Sequence, residues 1–298
     1  MKRPESEKYV LAREGDVIAD RFRVHQLVGT GGMGSVWVAR ELGSDRDVVI
    51  KFHEVGFTGR DGDRSLKRFL REARVLESVD HPNACRLIVS GQDERSGEPY
   101  LVLERLHGDT LLSHLRRLGV FPVANAFSIA REVALGLDAV HAVGILHRDV
   151  KPDNVFLHRV DEALVPKLID FGLARPIAGG APITAANVAV GTPGFMAPEQ
   201  ARGRQDVDER IDVYGLGVTL YQMLTGDLPF EGRSAMELMI EAARGEPISP
   251  RVRRPALSRL VEEIVMTAIA RDRDERFEDA RAFAAALRAV SDHGVGSA

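Results

Sequence analysis

The reactive side chains of this 298-residue chain concentrate in His147-Arg148-Asp149-Val150-Lys151-Pro152-Asp153-Asn154, with Asp170-Phe171-Gly172 beginning sixteen positions after the asparagine. A carboxylate such as Asp149 can take a proton from a hydroxyl, and Lys151 can neutralise charge on an oxyanion. The oxygens of Asn154 and Asp170 suit a hard divalent cation. The pattern H-R-D-x-K-x-x-N has five fixed residue types, and with even residue usage it would recur by chance in on the order of one in ten thousand chains of this length.

Upstream, Gly29-x-Gly31-x-x-Gly34-x-Val36 would let backbone N–H groups approach phosphate oxygens, since glycine has no Cβ to block them. Alone this spacing is weak, because dinucleotide-binding folds and plain flexible hairpins share it. In dinucleotide folds, however, the glycines open a helix, whereas here the strand-like Val36-Trp37-Val38-Ala39 follows. Further along stand Val48-Val49-Ile50-Lys51, then Gly191-Thr192-Pro193-Gly194-Phe195-Met196-Ala197-Pro198-Glu199, and Asp212-Val213-Tyr214.

Taken together, these motifs resemble those of the protein kinases, in the bacterial Hanks-type serine/threonine form with a eukaryotic-like kinase domain, over roughly Asp20 to Val290. The resemblance implies an α+β, bilobal fold with a small β-rich lobe carrying one main helix and a larger, mostly helical lobe. ATP and magnesium would lie in the cleft between the lobes, with manganese as the alternative ion. Asp149 would accept or orient the hydroxyl proton, Lys151 would face the γ-phosphate, and Asn154 and Asp170 would hold the metal. Lys51 would contact the α and β phosphates and pair with Glu72. The glycine loop, Val28, Gly29, Thr30, Gly31, Gly32, Met33, Gly34, Ser35 and Val36, would cover the nucleotide. Val49, Leu103 as gatekeeper, the backbone of Glu104 and Leu106, and Phe156 would receive the adenine. Val49 departs from the usual alanine and would narrow that pocket.

Lys151 and Thr192 match the serine/threonine rather than the tyrosine form. Glu199 is expected to pair with Arg276, Asp212 to hold the catalytic-loop backbone, and His147 to pack on Phe171. Arg148 before the catalytic aspartate suggests a phosphate-controlled loop. Thr184 is the only hydroxyl residue between Gly172 and Gly191, so it is the expected autophosphorylation site, stabilised by Arg148 and Arg175. A pseudokinase scaffold and a small-molecule phosphotransferase of related fold are the alternatives. Intact Lys51, Glu72, Asp149, Asn154 and Asp170 weigh against the first, and the segment around Thr192 against the second.

The elements that must position these residues follow from periodicity. Strands are predicted at Phe22 to Val28, Val36 to Ala39, Asp47 to Phe52, Arg86 to Val89 and Tyr100 to Leu103. After a Gly/Asp-rich loop from Gly56 to Asp63, Leu66, Phe69, Leu70, Ala73 and Leu76 mark a helix from Ser65 to Ser78, with Ser65 as its N-cap. Glu72 shares the face of Phe69 and Leu76, so its carboxylate points inward and needs a partner; pairing with Arg68 is the surface alternative to Lys51. Ala126, Ile129, Val133, Leu137 and Val140 mark a second helix, closed by Gly144. Val207 to Thr225 reads as a buried central helix, and Leu257 to Ala270 and Glu278 to Val290 as the last two. Pro176 to Val190 reads as a mobile loop.

This places an N-terminal extension at 1–19, a kinase domain at 20–290 with lobes of about 20–104 and 107–290, and a tail at 291–298. Hydrophobic residues at 44% and charged residues at 28% describe a globular protein. A net charge of -4 carries no bulk argument for nucleic acid or anionic membrane. One cysteine, Cys85, excludes an intramolecular disulfide, and no apolar run is long enough to span a bilayer, so a cytoplasmic character is expected. Only Lys2, Lys8, Lys51, Lys67, Lys151 and Lys167 among the 40 basic residues are lysines, a bias that fits GC-rich, bacterial coding. The expected partners are proteins presenting serine or threonine, with a homodimer for autophosphorylation in trans.

Overall fold

A computed structural model describes residues 12–31, 34–44, 46–53, 59–95, 97–171, 192–204 and 206–292. The chain divides into two units, residues 1–81 with 85–106, and 82–84 with 107–298.

In the first unit, β1 (Val17–Ile18), β2 (Phe22–Gly31), β3 (Gly34–Glu41), β4 (Asp47–His53), β5 (Leu87–Gln92) and β6 (Pro99–Glu104) form one antiparallel sheet in the order β1-β2-β3-β4-β6-β5. Side chains alternate across a strand, and here the alternation separates two jobs. Trp37, Ala39, Val48, Ile50, Phe52, Tyr100 and Val102 turn to one face and build the core. Val36, Val49, Lys51 and Leu103 turn to the other face, each half-buried. Cross-strand pairs Val36 with Lys51, Val38 with Val49 and Val49 with Leu103 hold them in one patch. Residues ahead of Asp20 join this unit, since Ala12 and Ile18 are buried in its core.

The helix α1 spans Gly59–Leu76. It therefore begins within the segment expected to be loop and ahead of Ser65, whose side chain lies outside the described set, as does that of Arg68. The glycines Gly59 and Gly62 obscured this start in the sequence. Phe69, Ala73 and Leu76 are buried, and Glu72 is half-buried beside them.

The second unit is mostly helical: α2 (Leu111–Leu118), α3 (Val123–His141), the short α4 (Pro198–Ala201), α5 (Arg210–Thr225), α6 (Ala235–Arg244), the short α7 (Pro250–Arg253), α8 (Arg259–Ala268) and α9 (Ala280–Asp292). A small sheet, β7 (Gly108–Thr110), β8 (Val155–Val160) and β9 (Ala163–Leu168), lies in the order β7-β8-β9. The α5 helix starts at Arg210 rather than Val207, and it is buried on nearly every side. Such an all-round apolar helix has to sit at the centre of a core, here packed by α3, α8 and α9. Helices α2 and α6 were not anticipated. The second carried a readable signal in Ser234-x-x-Glu237: Ser234 Oγ accepts from Glu237 N at 3.2 Å, while Glu237 Oε2 accepts from Arg233 N at 2.6 Å. No helix among the described residues is long and apolar enough to cross a membrane.

Candidate active site

The second unit's site is built outward from Asp212 on α5. This carboxylate is 1% exposed, yet it accepts three hydrogen bonds: Oδ1 from Arg148 N at 2.7 Å, and Oδ2 from His147 N and His141 Nε2, both at 2.8 Å. Burial would by itself raise the Asp212 pKa, but the His141 hydrogen bond, the charge of His141 and the His147 amide hold it below its ordinary value. A buried anion thereby grips two successive backbone amides of the loop before Asp149. Close approach at Gly215 completes the support, because a Cβ there would stand 2.9 Å from the Val150 carbonyl oxygen.

Arg148 takes φ 67 and Asp170 takes φ 59, a left-handed backbone that a side chain adopts only at some cost. At Arg148 the surroundings enforce it. Its N–H is bound to Asp212 and its carbonyl accepts from Gln200 Nε2 at 3.1 Å. His147 Nε2 donates to the Ile169 carbonyl at 2.9 Å, and its ring lies 5.4 Å from that of Phe171. Burial lowers its pKa, which keeps the ring neutral and suits the expected packing role.

Asp149 is 3% exposed, and its carboxylate is surrounded by donors. Thr192 N and Thr192 Oγ1 each donate to Oδ1 at 2.9 Å. Asn154 Nδ2 donates to Oδ2 at 3.0 Å and to the Asp149 carbonyl at 2.8 Å, and Lys151 Nζ lies 3.0 Å from Oδ2. Lys151 also donates to Thr192 Oγ1. The structure thus brings Asp149, Lys151, Asn154 and Thr192 into one hydrogen-bonded cluster. A turn over Pro152–Asn154, with Ile169 N donating to the Asn154 carbonyl at 2.9 Å, ties this loop to the approach to Asp170.

With both amide hydrogens of Asn154 directed at Asp149, its Oδ1 is the atom left to act as an acceptor. Asp170, whose side chain is exposed, supplies a second oxygen type. Oxygen donors of this kind fit a hard divalent cation. Phe156 is half-buried on β8, paired with Thr110 and Lys167.

Below the cluster, Arg276 grips Glu199 through two bonds, Nη1 to Oε1 at 2.7 Å and Nη2 to Oε2 at 2.8 Å. The guanidinium is 0% exposed and also lies 4.9 Å from the centre of the Tyr214 ring. The pairing expected from the sequence is present. The capping role of Gln200, which holds both Ala197 N and the Arg148 carbonyl, was not foreseen.

In the first unit, Lys51 and Glu72 are both half-buried, on β4 and α1. Val28 is exposed, Ser35 is buried and receives the Trp37 indole N–H at 3.1 Å, and Glu104 and Leu106 are half-buried. Ser35 therefore serves the sheet's core face, opposite to Val36. Gly34 takes φ 130, a conformation reserved largely for glycine. Gly32, Met33, Arg175, Thr184 and the Pro176 to Val190 segment lie outside the described residues.

A family profile described as the protein kinase domain matches residues 22–285. The serine/threonine-protein kinase pkn3 of Myxococcus xanthus is 36% identical over 296 residues, covering 97% of this chain and 53% of that protein. PknB of Mycobacterium leprae is 35% identical over 265 residues, 88% of this chain and 42% of its own length. The chain thus spans about half, or less, of these relatives. Among solved structures, the PknI kinase domain of Mycobacterium tuberculosis superposes with a TM-score of 0.72 at 26% identity, over 94% of this chain and 99% of that one. Rad53 in complex with AMP-PNP gives 0.70 at 26% identity, over 88% and 64%. With a six-stranded β lobe, a helical lobe and a catalytic-loop cluster all in place, the chain belongs to the protein kinase family.

Proposed function

We propose that the chain transfers the γ-phosphoryl group of ATP to serine or threonine hydroxyls of proteins. Membership of the family brings ATP and a divalent metal; magnesium is the ion we assign. The observation that carries the reading is the Asp149 carboxylate, held by Thr192, Asn154 and Lys151. Four donors occupy a carboxylate that has about four lone-pair positions. An incoming hydroxyl would take the place of a Thr192 donor at Oδ1 and give its proton to Asp149 as its oxygen attacks the γ-phosphorus, whose bond to the β–γ bridging oxygen breaks so that ADP leaves. Lys151, already beside Asp149, would neutralise charge spreading over the transferred oxygens.

Asn154 and Asp170 would hold the cation, which when bound screens the phosphate charges. The N–H groups along Gly29, Gly31 and Gly34 would cradle the phosphates, and Lys51, oriented by Glu72, would bind them. Val28, Val36, Val49, Leu103 and Phe156 would offer apolar surface to the base, and the backbone of Glu104 and Leu106 its hydrogen bonds. Autophosphorylation of Thr184, in trans through a homodimer and with Arg148 as the phosphate's partner, is the switch we assign; phosphosite mass spectrometry of active protein showing Thr184 unmodified would remove it.

Asp149→Asn should lower transfer of labelled phosphate to protein by about 10²–10⁴-fold while leaving ATP binding in place. Transfer within tenfold of the unaltered chain would sink the base assignment. Phosphoamino-acid analysis should return phosphoserine or phosphothreonine. A wild-type chain that binds ATP and transfers nothing would support a pseudokinase instead.

A further inference from the structure

We propose, resting on the phosphotransfer reading above, that His53 is a positioning residue for Lys51 and Glu72, acting by setting how α1 stands on β4. His53 is 4% exposed at the end of β4. Its ring meets that of Phe69 on α1 edge-on, with centroids 5.1 Å apart and planes at 61°. An edge-to-face aromatic pair of this kind constrains both the distance and the angle between the elements that carry it. Side chains two apart on a strand share a face, so His53 stands beside Lys51, about 7 Å further along β4. Phe69 and Glu72 are three apart and share a face of α1, about 4.5 Å from each other along its axis. Strand and helix are thus joined by two neighbouring rungs, the ring contact of His53 with Phe69 and the proposed pair of Lys51 with Glu72. The backbone of His53 also lies opposite Gly34, at the end of the glycine loop.

The far end of the helix is fixed separately. The backbone of α1 approaches β5 and β6 most closely. Just past Leu76, Glu77 accepts at Oε1 from Ser90 N and Ser90 Oγ of β5, both at 2.7 Å. This clamp makes the C-terminal end of α1 the pivot of any swing of the helix. The ring contact at Phe69 lies eight residues back, about 12 Å along the axis, where it opposes such a swing with the longer arm. Glu72 lies between the two, about 7.5 Å from the pivot, so a shift of about 1 Å at Phe69 carries Glu72 through roughly 0.6 Å. The distance between the Glu72 carboxylate and Lys51 is therefore set by a ring that touches neither of them.

The test uses the full chain and reads transfer of labelled phosphate, with kcat and KM for ATP taken separately, beside calorimetric binding of magnesium-ATP. His53→Ala should lower kcat/KM by about tenfold or more, since a misplacement of about 1 Å costs roughly 10²-fold. His53→Phe keeps a ring of similar size and should recover most of that loss. In a Glu72→Gln background the pair to be positioned is already broken. There His53→Ala should change kcat/KM by less than about twofold, while lowering the thermal melt as much as it does alone. A ring that merely fills space would lower kcat/KM equally in both backgrounds, and that result overturns the proposal. So does a His53→Ala chain whose kcat/KM stays within about twofold of the unaltered one, or a His53→Phe chain no better than His53→Ala. If His53→Ala does not fold, Phe69→Leu takes its place in the same comparison and the same outcomes decide. An unaltered chain that binds magnesium-ATP and transfers nothing removes the phosphotransfer reading instead. ATP affinities then decide the role of His53: a weakening by His53→Ala that vanishes in Glu72→Gln supports it, and an equal weakening in both backgrounds overturns it.

Discussion

Replacing Asp212 by asparagine tests how the loop before Asp149 is held. The carboxylate takes three donors in a site that is 1% exposed. Asparagine keeps one acceptor oxygen and must turn its NH2 toward a donor. In the least costly orientation that donor is Arg148 N, so one charge-assisted bond is lost and one buried N–H is stranded. Together these should remove about 3–5 kcal/mol of unfolding free energy. The lost bond is also one that holds Arg148 at φ 67, a backbone costing about 1–2 kcal/mol. Once released, Arg148 can relax and carry Asp149 out of register, and a displacement of about 1 Å is enough to cost roughly 10²-fold in turnover. Urea unfolding would read the first effect, and transfer of labelled phosphate at saturating ATP the second; KM for ATP should change little. The unaltered chain should lose stability as pH falls through the depressed Asp212 pKa, because protonation there removes an anion that the fold prefers charged. The asparagine variant should lack that component. A loss under about 1 kcal/mol, with turnover within twofold, would refute this account of the loop.

Three further outcomes follow from neighbouring contacts. Arg276→Met should cost about 3–5 kcal/mol, because it strands Glu199 in a buried site, and Glu199→Leu added to it should restore part of that loss in urea unfolding; equal losses in the single and double variants would count against the buried pair. At His141, burial acts against the charged form, but the Asp212 bond and the charges of Asp212, Glu209 and Asp138 raise its pKa. The stability advantage of the unaltered chain over His141→Gln should therefore be complete below the ordinary histidine value and fade as pH rises through the raised one, and an advantage that grows toward alkaline pH would contradict it. Gly215→Ala sets a methyl group 2.9 Å from the Val150 carbonyl and should cost about 1–3 kcal/mol together with a drop in turnover; a thermal melt unchanged from the parent would show that α5 does not set the height of the loop.

Some of this was legible because it is local. H-R-D-x-K-x-x-N packs its functional groups into eight consecutive residues, so spacing alone placed Asp149, Lys151 and Asn154 together. Strand alternation showed which side chains of Asp47 to Phe52 share a face, and the all-round apolar pattern before Thr225 marked α5 as central. Other features were obscured by local propensity. The glycines Gly59 and Gly62 hid the first turns of α1, and α2 is only eight residues long with a basic end. The Ser234 cap of α6 is written in the sequence as Ser234-x-x-Glu237.

The sequence by itself determined the family and the division into a strand-rich and a helix-rich part. Only the tertiary structure decided what holds the machinery in place. Thr192 reaches Asp149 across 43 positions, and Asp212 reaches His147 and Arg148 across 65 and 64. Gln200 closes on the Arg148 carbonyl across 52. Hydrogen bonds between groups so far apart leave no periodic trace in the chain, since each depends on where two elements meet in the core rather than on what lies beside them in sequence. The strain at Arg148 is of the same kind: nothing in the letter at position 148 marks a left-handed backbone, and it exists because a buried anion and a glutamine on either side of it leave no other conformation.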